Sequence, residues 1–449
     1  MVQPVSSNLS RVRVYRQDAS VAETEEETID SVKIGNRVEG PRLGVVEPRG
    51  LRASADRDGN YLFQPDQAKF DQVQSFVTAQ KTLDLFEEYA GGPIHWAFDD
   101  PQLAVIPHAG EGANAYYVRW QQAVNFYYFE SRALGKTVQT AQSSDVVAHE
   151  TGHAILDGLK PAWGQTFDKE TRAFHEAFGD CAAMLLAISR PANCAEAVAG
   201  DMRGQNCISR IAEEFGTAVR LANRNSDDDF PYLRTAANDF SYVPPEQLPN
   251  DGPRDVLTSE SHSFCQIFTR AFYTALVNVY ESIPGDRVQA LQAAGSVMGK
   301  LLVEGVRLAA PDQARFADVA RGMLRADQLH LSGLHTSALE SAFLQAGILS
   351  PAPDLDLALL GQPTGRVEHA GLTSVTYLSQ RDQPVEFAGR QATLTATAGA
   401  TLTYDAQGNL VHASQSDFCS PTPSPDDPAA HLYLTPEGWR LEKLPLFVD

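Results

Sequence analysis

The periodicity of the apolar residues changes twice along this chain, and the two changes limit what it can fold into. Between about 94 and 140 the runs IHWAF, LAVIPH, NAYYVRW and VNFYYF are aromatic and β-branched, as strands are. From 145 to 349 apolar residues recur at three- and four-residue steps with short breaks, the period of helices. After SPAPD at 350–354 that period ends, and RQATLTATAGATLTYDAQGNLVHA (390–413) alternates around Gly399 and Gly408 as β-hairpins do. Strands followed by a long helical block predict an α+β fold. The expected divisions are 1–140, β-rich with one long helix; 141–349, helical; and 350–449, a β-rich extension that is either a small module or strands packed back onto the rest.

Individual elements carry their own signals. In 66–90, Phe70, Val73, Phe76, Val77, Leu83 and Phe86 predict one amphipathic helix, stopped by Gly91-Gly92-Pro93. Ser143-Ser144-Asp145 can cap a helix running to Gly158, and Asp168 can cap the next. Further helices are expected at about 262–282, 287–308, 312–326 and 336–347. The first 60 residues lack helical periodicity. Their acidic cluster (Glu23, Glu25, Glu26, Glu27, Asp30) reads as a solvated loop or strand flank, and DRDGNYLF (56–63) as a hairpin. The segment SPTPSPDDP at 420–428 reads as a Pro-rich loop.

Composition removes several functions. A length of 449 residues with 43% hydrophobic content supports two or three packed units. The net charge of -21 leaves no basic surplus to displace counterions from nucleic acid. The five cysteines match no CxxC spacing, and Cys181 and Cys265 sit in apolar helical stretches as small hydrophobes. No secretory h-region and no membrane-length run is visible, so a soluble, cytoplasmic protein is expected, with non-standard export left open. Oligomeric state is not written in the sequence.

Chemistry concentrates in two short segments. His149-Glu150-Thr151-Gly152-His153 is an HExxH pattern, and on a helix its two imidazoles share one face. They can hold one Zn2+ while Glu150 reaches the metal-bound water. A catalytic zinc needs a third protein ligand. The next helix offers Glu176 and, one turn on, Asp180, amid the apolar Phe174, Ala177, Phe178 and Cys181. Glu176 can bind the metal, and Asp180 can accept the outer N–H of a histidine ligand. His175 is a weaker candidate, because adjacent helical residues point about 100° apart.

These two pieces, DVVAHETGHAILDG and HEAFGD, resemble the thermolysin-type gluzincin metallopeptidases, with HExxH on one helix and ExxxD on the next. Further segments match in the same order, so the resemblance covers about 66–348. It implies a two-lobed fold, β-rich then helical, with the active-site cleft between, and a zinc-dependent endopeptidase acting on peptides or proteins. Asn114 and Ala115 in NAYY match the edge strand that holds the substrate backbone. Arg234 in LRTAAND matches an arginine that binds a substrate carbonyl. His262 in SHSFCQIF matches the histidine that donates to the oxyanion.

The departures are specific. Glu176 lies 23 positions after His153, a longer connection than in the best-known members. Phe167 stands where many members place an oxyanion-binding tyrosine. The acidic partner of the histidine is not at its usual place, and Asp255 and Glu260 are both near enough to substitute. The carboxylates of the family's calcium pair are largely absent although Asp145 is retained, so Ca2+ has little support; SDDD at 226–229 reads as an acidic loop or a cation site. Alternatives stay open at single residues: Asn114 as a turn residue, Arg234 in a structural ion pair, His262 as a helix cap, His108 in a loop role. For the whole chain the alternative is a catalytically weak or inactive zinc-bound scaffold that binds peptide or protein. An aminopeptidase lacks support, since no GxMEN-like segment is present.

Overall fold

The computed structural model describes residues 9–222, 230–311 and 313–349, and beyond these the backbone of strands between 363 and 443. Contacts divide the chain near residue 350 into two compact units. That boundary coincides with the one expected from the change of periodicity. The boundary expected at 140/141 does not separate units, because secondary structure changes there inside a single core.

The first unit is mixed α+β. Strands β1 (Leu9–Tyr15) and β2 (Thr24–Asp30) form an antiparallel ribbon, followed by a one-turn helix α1 (Ser31–Ile34) that Asp30 caps through the Val32 N–H. The acidic cluster, expected in a loop or at a strand flank, lies largely in β2, where Glu26 bonds Arg13 at 2.8 Å across the ribbon. Strand alternation puts Val12 and Val14 in the core and Glu26 outside, whereas Glu27, opposite Val12, is largely covered and pairs with Lys81 and Arg190. At 56–60 the Asp-Gly turn is present, with Asp56 Oδ1 accepting from the Asp58 and Asn60 N–H groups at 2.9 Å. The expected hairpin is not: Tyr61 forms a lone parallel bridge to Val12.

β3 (Leu43–Val45) comes next, then helix α2 (Ala68–Ala90). Beyond it are β4 (Leu103–Glu111), β5 (Ala115–Val118), β6 (Ala123–Ser131) and β7 (Lys136–Gln139). The sheet runs β3-β4-β6-β5, parallel for β3/β4/β6 and antiparallel for β5, with β7 paired to the other half of β6. β5 is therefore an edge, and its Asn114–Tyr117 side has no strand beside it among the described residues. IHWAF at 94–98 is not a strand. Its Trp96 is buried and donates Nε1–H to Pro101 O.

α2 is buried nearly all round rather than on one stripe. Besides Phe70, Val73, Phe76, Val77, Leu83 and Phe86, the polar Asp71, Gln72, Gln74, Thr78 and Thr82 are covered. Buried polar groups need partners, and these have them. Gln74 accepts from Tyr15 N at 2.8 Å and donates to Ser144 Oγ at 3.1 Å, and Gln72 donates to Leu51 O at 2.7 Å. Gly91 ends the helix at φ 69, returning its N–H to the last carbonyls. Asp71 meets His108, which lies in β4 and not in a loop: His108 Nε2 is 2.8 Å from Asp71 Oδ2 and Nδ1 is 2.5 Å from Glu47 Oε2, all buried.

The helical part contains α3 (Ser144–Leu159), α4 (Lys169–Ile188), α5 (Pro191–Ala199), β8 (Arg210–Ile211), α6 (Glu213–Ala222) and β9 (Arg234–Thr235). It ends with α7 (Ser261–Phe264), α8 (Gln266–Ser282), α9 (Arg287–Leu308), α10 (Phe316–Leu331) and α11 (Thr336–Gln345). Ser143 and Asp168 cap α3 and α4 as their positions imply. The helix expected over 262–282 breaks at Cys265, and the one expected over 312–326 starts later, at Phe316. Phe174, Phe268 and Phe316 meet edge to face or tilted, with ring centroids 4.9–6.5 Å apart, and fix α4 against α8 and α10. The four described cysteines are buried thiols, and Cys419 lies outside the described residues. Among the described residues no helix is long and apolar enough to cross a membrane.

The second unit consists of antiparallel sheets, β10 (Pro363–His369), β11 (Leu372–Phe387), β12 (Arg390–Tyr404) and β13 (Leu410–Phe418) in one, and β14 (Thr422–Ser424), β15 (Asp427–Thr435) and β16 (Gly438–Lys443) in the other. Gly399, expected at a turn, lies inside β12 opposite Leu378 and Ser416. Gly408 lies outside the described residues. Two pieces of the expected Pro-rich loop are strand, in β14 and the start of β15.

Replacing His108 by alanine would leave two buried carboxylates, Asp71 of α2 and Glu47 just after β3, facing each other. The expected loss is about 3–5 kcal/mol of stability, read as a lowered midpoint in urea denaturation of His108→Ala against wild type.

Candidate active site

Two helices build the site because small residues let them touch. A Cβ on Gly179 of α4 would stand 2.6–2.8 Å from the His149 ring, and one on Gly152 of α3 would meet Ala182 Cβ at 3.0 Å and Gly179 Cα at 3.2 Å. At this spacing His149 and His153 reach across to α4. His149 Nε2 lies 3.2 Å from Glu176 Oε2, and His153 Nε2 lies 3.7 Å from Glu176 Oε1. One ligand atom from each of the three lies within 4.8 Å of the others. Two imidazoles and one carboxylate are a donor set that zinc takes, leaving a fourth position for water. His175 is outside this trio; its ring lies beside His153, with centroids 5.9 Å apart.

The trio opens on a cavity of about 470 Å3 lined by Asn114, Ala115, Tyr116 and Tyr117 from the β5 edge, by Glu150, and by His262. Glu150 is 7% exposed. Burial pushes its carboxyl up to about 7, with nearby Glu176 adding to the rise while His149 and the Tyr117 N–H oppose it. A carboxyl held near neutrality is suited to taking and returning a proton.

His149 behaves differently. Burial works against its charge, but Asp180 and Glu176 outweigh burial and lift it to about 10. Its Nδ1 is 3.0 Å from Asp180 Oδ1. Burial lowers His153 to about 3, so His153 is neutral. Glu176 stays well below the usual carboxylate range: burial opposes this, and the neighbouring imidazoles of His153, His149 and His262 prevail. Asp180 is likewise held at about 2 against burial, by Arg234 and His149.

Arg234 is placed behind the site. It is buried, donates to Asp180 through Nε and through Nη2 at 2.7 Å, and is not in the cavity wall. Of the two roles open to it, the structure displays the ion pair. Asp255 is exposed at a turn and is not brought to His262; Glu260 is. The reason is local. Glu260 caps α7, accepting the His262 and Ser263 N–H groups, and the same carboxylate lies 2.7 Å from His262 Nδ1. His262 Nε2 then faces Glu176 Oε2 at 3.3 Å. Asn114 turns its side-chain oxygen onto the Ala115 N–H at 3.0 Å. Phe167 is 63% exposed.

Sequence reasoning missed Asp157, four residues after His153 on the same helical face, although that spacing was readable. Asp157 Oδ2 accepts from Tyr117 Oη at 2.8 Å and Arg119 Nε at 2.7 Å, joining α3 to the strand edge. It also missed a second acidic group. Asp18, Asp145 and Glu213 are all buried, with oxygens within 4.8 Å of one another. Calcium takes six to eight oxygens. Here Asp18 already accepts from Ser20, Ser143 and the Glu214 N–H, and Asp145 from the Ala212 N–H. SDDD at 226–229 lies outside the described residues.

A scan of protein-family models gave no match to this sequence, and a search of curated proteins gave none. The reading of the site therefore rests on its own geometry.

Two outcomes follow from these charges. In metal-free protein at pH 8, His149 carries a proton that a metal ligand must lose, whereas His153 and Glu176 carry none. Zinc binding is expected to release about one proton from the trio, measured by titration calorimetry in buffers of different ionisation enthalpy. Burial, then the charge of Asp18, raises Glu213 from 4.5 to about 8. Between those values the unfolded chain loses this proton and the folded chain keeps it, so the contribution of Glu213 to stability falls as pH rises. In chelator-treated protein, Glu213→Gln should flatten the decline of melting temperature between pH 4.5 and 8.

Proposed function

We propose that this chain is a zinc-dependent endopeptidase of the thermolysin-like gluzincin type, with His149, His153 and Glu176 holding one Zn2+ in a cleft between a β-rich and a helical lobe. The observation that carries the proposal is the convergence of three ligand atoms, a buried carboxyl held near pH 7 and a sheet edge on one cavity. A hydrolase that cuts extended peptide needs all three.

A bound zinc ion would supply a water of lowered pKa and polarise the scissile carbonyl. The protein's own groups do the rest. The β5 edge at Asn114–Tyr117 receives the peptide as an added strand, so that main-chain hydrogen bonds set its position. Glu150 takes a proton from the attacking water and returns it to the leaving amine. His262, oriented by Glu260 through Nδ1, presents Nε2 as a donor to the oxyanion. Asp180 orients His149, and Arg234 keeps Asp180 ionised. Arg119 and Tyr117 hold Asp157, which fixes the strand edge against α3.

A second reading has one observation in its favour: the exposed phenyl ring of Phe167 cannot donate a hydrogen bond. On that reading the chain is a catalytically weak or inactive zinc-bound scaffold for peptide or protein. The two readings part on turnover. Zinc-loaded wild type should cleave members of a mixed quenched-peptide library, and Glu150→Gln should bind zinc equally while losing cleavage by about a hundredfold or more. Zinc binding without cleavage by wild type would favour the scaffold.

A further inference from the structure

The charged groups in the wall of the active-site cavity are almost all answered by one another. Arg119 is spent on Asp157, with Nε at 2.7 Å from Oδ2 and a second contact through Nη2. His262 is spent on Glu260, and Glu176 faces three imidazoles. Glu150 keeps one buried oxygen without a hydrogen-bond partner, and Arg172 is the cation left unanswered. It lines the same cavity, it is exposed, and among the described residues its guanidinium meets no carboxylate.

Asp168 caps α4, so Arg172 stands in the helix's first turns, where the positive end of the helix dipole disfavours a cation. The nearby Lys169 has partners, donating to Asn250 Oδ1 at 3.1 Å and to Ser259 Oγ at 3.0 Å. Arg172 also lies one turn before Glu176, so on the helix surface it is the next residue of the stripe that carries the ligand. Thr166 and Gly164 from the 160–168 connection line the same cavity, neither charged. An acidic side chain entering here would meet a fork of N–H donors. It would not be repelled by Asp157, whose charge Arg119 already answers.

We infer that Arg172 is a specificity-determining residue that draws peptides with an Asp or Glu side chain into the cavity it lines. This rests on the endopeptidase reading. The guanidinium is exposed, so the gain is that of a surface ion pair, modest and screened by salt.

The test uses zinc-loaded full-length protein and quenched peptides in which each position around the scissile bond is in turn Glu, Gln or Lys. Wild type is expected to favour Glu over Gln at one position by about fivefold in kcat/KM, the factor a single exposed pair can supply, and less so at high salt. Arg172→Ala should lose that preference while still cleaving the Gln peptides. Arg172→Glu should turn it towards Lys at the same position, an outcome that a folding defect cannot produce. Equal cleavage of Glu and Gln peptides by wild type, or a Glu preference that persists in Arg172→Ala, overturns the inference and leaves the peptidase reading intact. Failure of wild type to cleave any peptide removes both.

Discussion

Where α3 crosses α4, Gly152 faces Gly179 and Ala182 with no room for a side chain between them. This contact lets the His149 imidazole lie flat against α4 backbone and reach Asp180 with one nitrogen and Glu176 with the other. A methyl group at Gly179 would occupy the place of that ring. The approach also depends on what surrounds it: α2 on one side of α3, and the Phe174–Phe268–Phe316 cluster holding the far face of α4. Helix packing at this separation comes before the chemistry, because the donor atoms converge only if the backbones do.

The parts of the site that could be read from sequence are those in which function is local. HETGH and HEAFGD each place their chemistry at i and i+4 on one helix, so helical geometry alone aims the side chains. The cap residues Ser143 and Asp168 are local in the same sense. What could not be read depends on residues distant in sequence. Arg234 matched a substrate-binding position, yet the choice between substrate and Asp180 is made by how the 233–236 segment lies over α4. Nothing in LRTAAND encodes that. Asp255 and Glu260 looked equivalent by distance along the chain, and the capping of α7 separates them.

The same distinction runs through the fold. An apolar period announced α2 but could not announce that its polar residues are buried as well, since their partners lie in β1, in the 46–53 segment and at the start of α3. His108 had no local feature to distinguish a loop residue from one held between two buried carboxylates. Conversely, IHWAF had the composition of a strand. Trp96 is used instead to close a turn against Pro101, showing that aromatic content marks burial more dependably than extended pairing.

The charges around the trio suggest how the site stays assembled before any ion arrives. The two carboxylates Glu176 and Asp180 on one helix would repel if theirs were the only charges present. The proton on His149 lies between those two carboxylates, and Arg234 supplies a second cation behind Asp180. On the zinc-site proposal, a metal ion entering the trio would replace a proton instead of assembling a disordered site. Small zinc domains gain their fold from the metal, whereas here a helical core spanning α2 to α11 already fixes the donors. On that proposal the metal's binding energy would not be consumed in ordering the chain, because Gly179 and Asp180 already hold the His149 ring in place.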